Sequence, residues 1–103
     1  MLEKDIQKLI IDYLRYSGWF VIKNNTVGIY KKETGKYIPS QAVGLADLTI
    51  LKDGRVIMIE IKNEKGKQTD GQLEFERNWT EHGGLYFVVR SLDDVARIIK
   101  EHT

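Results

Sequence analysis

An α/β fold, with a mixed central sheet flanked by helices, is what this sequence predicts. Three observations carry that prediction. Apolar residues recur at helical spacing at both ends of the chain and once in between. Four short apolar runs, rich in β-branched and aromatic residues, lie between those segments. In the second half a strand, a helix and a strand follow one another, an order that favours a parallel right-handed crossover. The resulting element order is αβββαβα, with a small side hairpin after the first strand.

Each element has a local reason. Residues 2 to 16 place Leu2, Ile6, Leu9, Ile10, Tyr13 and Leu14 at helical spacing, and Gly18 ends that helix. Trp19-Phe20-Val21-Ile22 is a short apolar strand. Residues 23 to 44 are polar, with glycines at 28, 35 and 44 and the only proline at 39; Gly28–Lys31 and Lys36–Ile38 fit a side hairpin around Glu33-Thr34-Gly35. Residues 47–51 and 56–62 read as two strands joined at Lys52-Asp53-Gly54-Arg55, because Asp-Gly is favoured where both central residues need positive φ. The second of these strands is apolar on both faces and is expected inside the sheet. Thr69 and Gln72 form a capping box for a helix running to about His82 and closing at Gly83-Gly84. Residues 85–89 are a buried strand. Ser91 caps a final helix, with Asp94 at the capping-box position and Val95, Ile98 and Ile99 facing inward.

The chain has 103 residues, which fits a single domain spanning 1–103. A domain of this size buries roughly two-thirds of its unfolded surface. No apolar run of about 18 residues exists, so no membrane span is expected, and the first residues carry no apolar signal-peptide core. The absence of cysteine excludes disulfides and thiolate metal sites and fits a reducing cytoplasm. The two histidines, His82 and His102, are far apart, so any metal must rely on oxygen ligands. Net charge is only +1, but its distribution is uneven. Residues 23–37 carry Lys23, Lys31, Lys32 and Lys36 against Glu33, and residues 62–68 carry Lys62, Lys65 and Lys67 against Glu64.

The most informative pair is Asp47 and Glu60. If Lys52 pairs with Arg55 across the tight turn, Asp47 falls opposite Glu60, where Cβ atoms are roughly 5 Å apart. A slip of one residue would put the two on opposite faces. Lys62, two residues past Glu60, projects from the same face. Ending an otherwise apolar inner strand in charges is costly without a purpose. Two carboxylates at one sheet edge suit a hard divalent metal such as Mg²⁺ or Mn²⁺, which takes few carboxylates, retained waters and phosphate oxygens. The backbone carbonyl of Ile61 lies at the same edge as a further ligand. Lys62 is placed to hold a scissile phosphate or orient an attacking water. The chemistry that results is phosphodiester hydrolysis.

These residues, with their element order, resemble the PD-(D/E)XK nuclease superfamily, whose core is the restriction-endonuclease-like αβββαβ arrangement. The closer resemblance is to the VRR-NUC family, including its small stand-alone phage or bacterial members. It is carried by Glu3 and Gln7 in the first helix, Gly44-Leu45-Ala46-Asp47, Glu60-Ile61-Lys62, the loop Asn63–Gln68, Gln72, and the closing Val88-Val89-Arg90-Ser91-Leu92-Asp93-Asp94-Val95. Ala46 departs from the family, which usually has proline there; that proline shapes backbone and is not a ligand. The resemblance implies that Asp47 and Glu60 are metal ligands and Lys62 is catalytic. It implies that Glu3 joins the site through metal-bound water, and that Gln72 approaches it from the following helix. It further implies branched DNA, such as flaps or Holliday junctions, as substrate, and a homodimer in the cytoplasm of a bacterium or phage-infected host.

Trp19, Trp79, Phe75 and Phe87 lie in strongly patterned elements and read as core. Tyr30 and Tyr37 sit among Lys31, Lys32 and Lys36, a mixture that can grip nucleic acid by stacking and phosphate contacts, and Lys65 and Lys67 extend a second basic loop. The leading reading is therefore a metal-dependent DNA endonuclease. Two alternatives stay open: a binding module of the same fold that does not cut, and a nuclease for RNA or single-stranded DNA. Phosphate contacts do not distinguish these substrates.

Overall fold

The computed structural model describes the backbone of residues 2–24, 29–38 and 44–103, and their side chains except those of 29–31, 37 and 38. Its elements run α1 (Glu3–Tyr16), β1 (Phe20–Lys23), β2 (Ile29–Lys31), β3 (Lys36–Ile38), β4 (Leu48–Lys52), β5 (Arg55–Ile61), α2 (Asp70–Glu81), β6 (Leu85–Val89) and α3 (Leu92–Glu101). The expected order is found, and strand boundaries move by one residue. β1, β4, β5 and β6 form one sheet in that spatial order, and β2 and β3 pair separately as the side hairpin. β1/β4 and β4/β5 are antiparallel, whereas β5/β6 is parallel, so the sheet is mixed. β5 lies inside it, as its two apolar faces require.

The β4–β5 turn has the predicted length and register. Lys52 pairs with Arg55 and Leu48 with Ile59, and both Asp53 (φ 51°) and Gly54 (φ 81°) have positive φ, the combination of a type I′ turn. Asp47 and Lys62, expected inside strands, sit one residue beyond them. The ladder register nevertheless reaches both: Asn24 N–H donates to the Asp47 carbonyl at 2.8 Å, and Lys62 N–H donates to the Val89 carbonyl at 3.0 Å.

Alternation along β5 divides the interior. Ile57, Ile59 and Ile61 pack with Ile6, Ile10 and Leu14 of α1 and Val95, Ile98 and Ile99 of α3. Met58 faces the other way, into a smaller cluster with Ala46 and Tyr86 over which Phe75, Trp79 and Val88 lie. Trp19 is buried, and Phe75, Trp79 and Phe87 pack against these clusters, as a core reading expects. Trp79 stacks on Phe75 with centroids 5.9 Å apart and donates its Nε1–H to the Leu85 carbonyl.

The α2 capping box is complete: Thr69 Oγ1 accepts from Gln72 N, and Gln72 Oε1 accepts from Thr69 N. Thr69→Ala should lower the unfolding free energy by about 1 kcal/mol, read as a Tm lower by roughly 4–8 °C. At α3 the expectation holds in half. Ser91 Oγ accepts from Asp94 N, but the Asp94 carboxylate turns to Arg90 N–H and not to Ser91 N–H. Among the described residues no helix is long and apolar enough to cross a membrane.

Candidate active site at the end of the inner strand

On β5, the residue after Met58 on the α2 side is Glu60, and Lys62, one residue past the strand, follows it. Glu60 is only 1% exposed, although it is the charged end of an apolar run. Its Oε2 accepts a hydrogen bond from Gln72 Nε2 at 3.0 Å and lies 3.3 Å from Lys62 Nζ. Its Oε1 is buried with no hydrogen-bond partner among the described residues. An orphaned carboxylate oxygen in such a place costs desolvation energy that a neutral donor or a cation would offset. The Glu60 pKa is raised from 4.5 to about 7. Burial is the larger cause and the negative charge of Asp47 the second, opposed by Lys62.

Asp47 is held differently. A regular ladder would place Ala46 opposite Ile61 and direct the Ile61 N–H to the Ala46 carbonyl. Instead, Asp47 Oδ2 accepts from Ile61 N–H at 2.8 Å. The carboxylate thus takes the place of a β4 carbonyl where that strand ends. The Ile61 carbonyl leaves its strand on the same side as the Ile61 N–H, towards Asp47, because the two groups of one residue point the same way in a strand. Upstream, Gly44 adopts φ +80° and its backbone rests on that of Gly71 in the first turn of α2; a Cβ built on Gly44 would lie 2.0 Å from the Gly71 oxygen. The segment leading to Asp47 therefore touches the helix that carries Gln72.

Gln72 combines its two expected roles. One end of its amide closes the capping box, and the other reaches Glu60. Lys62 is 12% exposed and is the only basic group paired with Glu60 among the described residues. The structure thus brings together Asp47, Glu60, Ile61, Lys62 and Gln72. It does not gather Glu3 with them: Glu3 and Gln7 are half-buried on α1, and the described residues hold no cluster of three or more His, Cys, Asp or Glu side chains suited to a metal.

The loop after Lys62 is tied down. Arg90 Nη1 donates to the carbonyls of Asn63 (2.6 Å) and Gly66 (2.7 Å), and Asn63 Oδ1 accepts from Lys65 N. Lys65 and Lys67 are exposed on or beside that turn, and Lys32 and Lys36 are exposed on the side hairpin. Tyr30 pairs with Tyr37, and Lys31 with Lys36, in the hairpin backbone. The side chains of Tyr30, Lys31 and Tyr37 lie outside the described residues.

Sequence reasoning missed two groups beside the site. Tyr86 is buried two residues before Val88, the β6 partner of Glu60. Burial, then the charge of Glu60, pushes its hydroxyl pKa up, and Gln68 Nε2 donates to it at 3.4 Å. Tyr86 sits in an apolar run that reads only as core. Asn24 is the second. Its neighbours read as a polar loop, and no local pattern marks it.

No family model matches the chain, and no curated protein sequence does. Among solved structures, one described as "VRR_NUC domain" superposes with a TM-score of 0.73 at 24% identity, over 98% of this chain and 97% of that one. Another, described as "VRR_NUC domain protein", gives a TM-score of 0.67 at 19% identity, over 98% of this chain and 87% of its own. This chain has the fold of those VRR_NUC domain structures.

Proposed function

We propose that this VRR_NUC-type fold serves a metal-dependent endonuclease that hydrolyses phosphodiester bonds in branched DNA, such as flaps or four-way Holliday junctions. One observation carries the reading: a buried carboxylate, Glu60, with one oxygen held by Gln72 and Lys62 and the other unpartnered among the described residues, beside Asp47. That donor set fits Mg²⁺ or Mn²⁺, a hard cation served by oxygen ligands. Asp47, Glu60 and the Ile61 carbonyl would hold it; Glu3, on α1 and not gathered with them, would act only through bound water. A bound divalent ion lowers the pKa of a coordinated water and offsets charge on the phosphoryl oxygens.

The chain's own residues do the rest. Gln72 fixes one Glu60 oxygen and leaves the other without a hydrogen-bond partner among the described residues. Ile61 N–H fixes one Asp47 oxygen in the same way. Lys62, charge-paired with Glu60, is placed to contact the scissile phosphate or the attacking water. Lys65 and Lys67, on a turn clamped by Arg90, and Lys31, Lys32 and Lys36 with Tyr30 and Tyr37 on the hairpin, supply phosphate and stacking contacts. One such site cuts one strand, so symmetric junction cleavage calls for a homodimer.

The test is a panel of labelled linear, flapped, single-stranded and four-way DNAs incubated with Mg²⁺ or Mn²⁺. Nicking of the branched substrates is expected, with loss of about a hundredfold to a thousandfold in Glu60→Ala and Lys62→Ala, the scale of removing a group that stabilises charge in the transition state. A metal must displace the Glu60 proton, so cleavage at sub-saturating metal should rise about tenfold per pH unit and level off above about pH 7. Cleavage indifferent to chelator would overturn the mechanism. Tight binding of four-way DNA without cutting, across both metals, would overturn the enzymatic reading.

A further inference from the structure

We infer that Asn24 is a positioning residue for Asp47. The inference rests on the reading of Asp47 as a metal ligand. Asn24 is the first residue past β1, and its backbone N–H continues the β1–β4 ladder to the Asp47 carbonyl at 2.8 Å. Any residue but proline would supply that bond. Its side chain does something more specific. Asn24 Nδ2 donates to the Ala46 carbonyl at 3.0 Å and to Thr49 Oγ1 at 2.8 Å. Thr49 Oγ1 also lies 3.2 Å from Asn24 Oδ1 and 3.3 Å from Met58 Sδ, so the hydroxyl fixes the amide against the sheet.

The consequence follows from the ladder. The Ala46 carbonyl is the group that a continuing β4 would offer to Ile61 N–H. Asn24 holds that carbonyl on the β1 side, and Ile61 N–H is left for the Asp47 carboxylate. Without the amide, the β4–β5 ladder can extend by two residues, Ala46 can bond Ile61, and Asp47 loses the contact that orients it. Asn24 thereby acts on the geometry of the acid through the Ala46 carbonyl.

The experiment uses the whole chain without metal and reads amide hydrogen exchange by NMR, followed by Mn²⁺ affinity. The variants are Asn24→Ala, Asn24→Leu, Thr49→Val and Asp47→Ala. Leucine keeps the branched heavy-atom skeleton and the backbone N–H of Asn24 but removes the amide. In both Asn24 variants the Ile61 amide should show at least a tenfold change in exchange rate or a shift away from its wild-type resonance, matching Asp47→Ala in the loss of the carboxylate contact. Ile57 and Ile59 should exchange as in wild type, whereas a merely structural role would move them together with Ile61. Mn²⁺ affinity should fall at least fivefold. Thr49→Val should move both readouts the same way by about half as much, and keeps the test open if an Asn24 variant fails to fold. Wild-type Ile61 behaviour and Mn²⁺ affinity in Asn24→Leu, alongside lost Mn²⁺ binding in Asp47→Ala, would overturn the Asn24 role alone. Unchanged Mn²⁺ affinity in Asp47→Ala would overturn both the role and the reading beneath it.

Discussion

In metal-free protein at pH 8, Glu60→Gln is expected to raise the unfolding free energy by about 3 kcal/mol, read by urea or thermal unfolding in chelator. The pKa of Glu60 rises from 4.5 to about 7 in the fold, and each unit is worth about 1.4 kcal/mol. A carboxyl whose pKa is raised by folding favours the folded state while it is protonated. Its contribution is fully present below about pH 4.5 and is lost as pH rises through about 7. Stability of the wild type relative to the Gln variant should therefore fall between those two values and stay level on either side. Gln keeps the shape and removes the charge, so the difference between the two proteins isolates Glu60 from every other titrating group. Parallel stability curves from pH 4 to 8 would show that the buried carboxylate carries no such burden. The same variant should lose the metal-dependent cleavage proposed above, the opposition of stability and activity expected where a site stores unfavourable charge.

Gly44→Ala is expected to cost about 3 kcal/mol and to weaken Mn²⁺ binding with it. Two penalties combine. At φ +80° an alanine pays roughly 1–2 kcal/mol for the left-handed backbone. Its Cβ would also sit 2.0 Å from the Gly71 oxygen and 2.4 Å from its carbonyl carbon, both backbone atoms that cannot rotate away. Overpacking of that kind costs another 1–3 kcal/mol. Gly35 separates the two effects, since it has φ +66° and a Cβ placed on it would meet nothing within 4 Å among the described residues. Gly35→Ala should show the conformational penalty alone, and equal losses at positions 35 and 44 would mean that the contact with Gly71 is not rigid.

Much of this arrangement was legible in the residues because it depends on local rules. Asp53-Gly54 sets a turn of fixed length, that turn sets the register, and the register puts Asp47 beside Glu60. Thr69 and Gln72 announce a helix start by their spacing. What escaped depended on contacts between distant segments. Asn24 lies 22 residues before the carbonyl that its side chain holds, and a polar residue after a strand reads the same whether or not it meets such a carbonyl. The Asp94 carboxylate chose Arg90 N–H over Ser91 N–H, two donors that spacing cannot separate. One-residue shifts at Asp47 and Lys62 have a similar origin: side-chain and carbonyl contacts from neighbouring strands continue the pattern after the formal ladder has stopped.

The shared amide of Gln72 restricts which residue position 72 can accept. For capping α2 alone, glutamate would serve as well as glutamine, since either offers an oxygen to Thr69 N–H. Across from it, however, Glu60 Oε2 needs a donor, and a glutamate would present a third carboxylate to a pair already short of positive charge. Asparagine has the same two groups on a chain one carbon shorter, while lysine and arginine donate but cannot accept. Glutamine alone among these meets both demands at this reach. A requirement set by helix formation and another set by the neighbouring strand thus intersect at a single side chain, and neither can drift without the other.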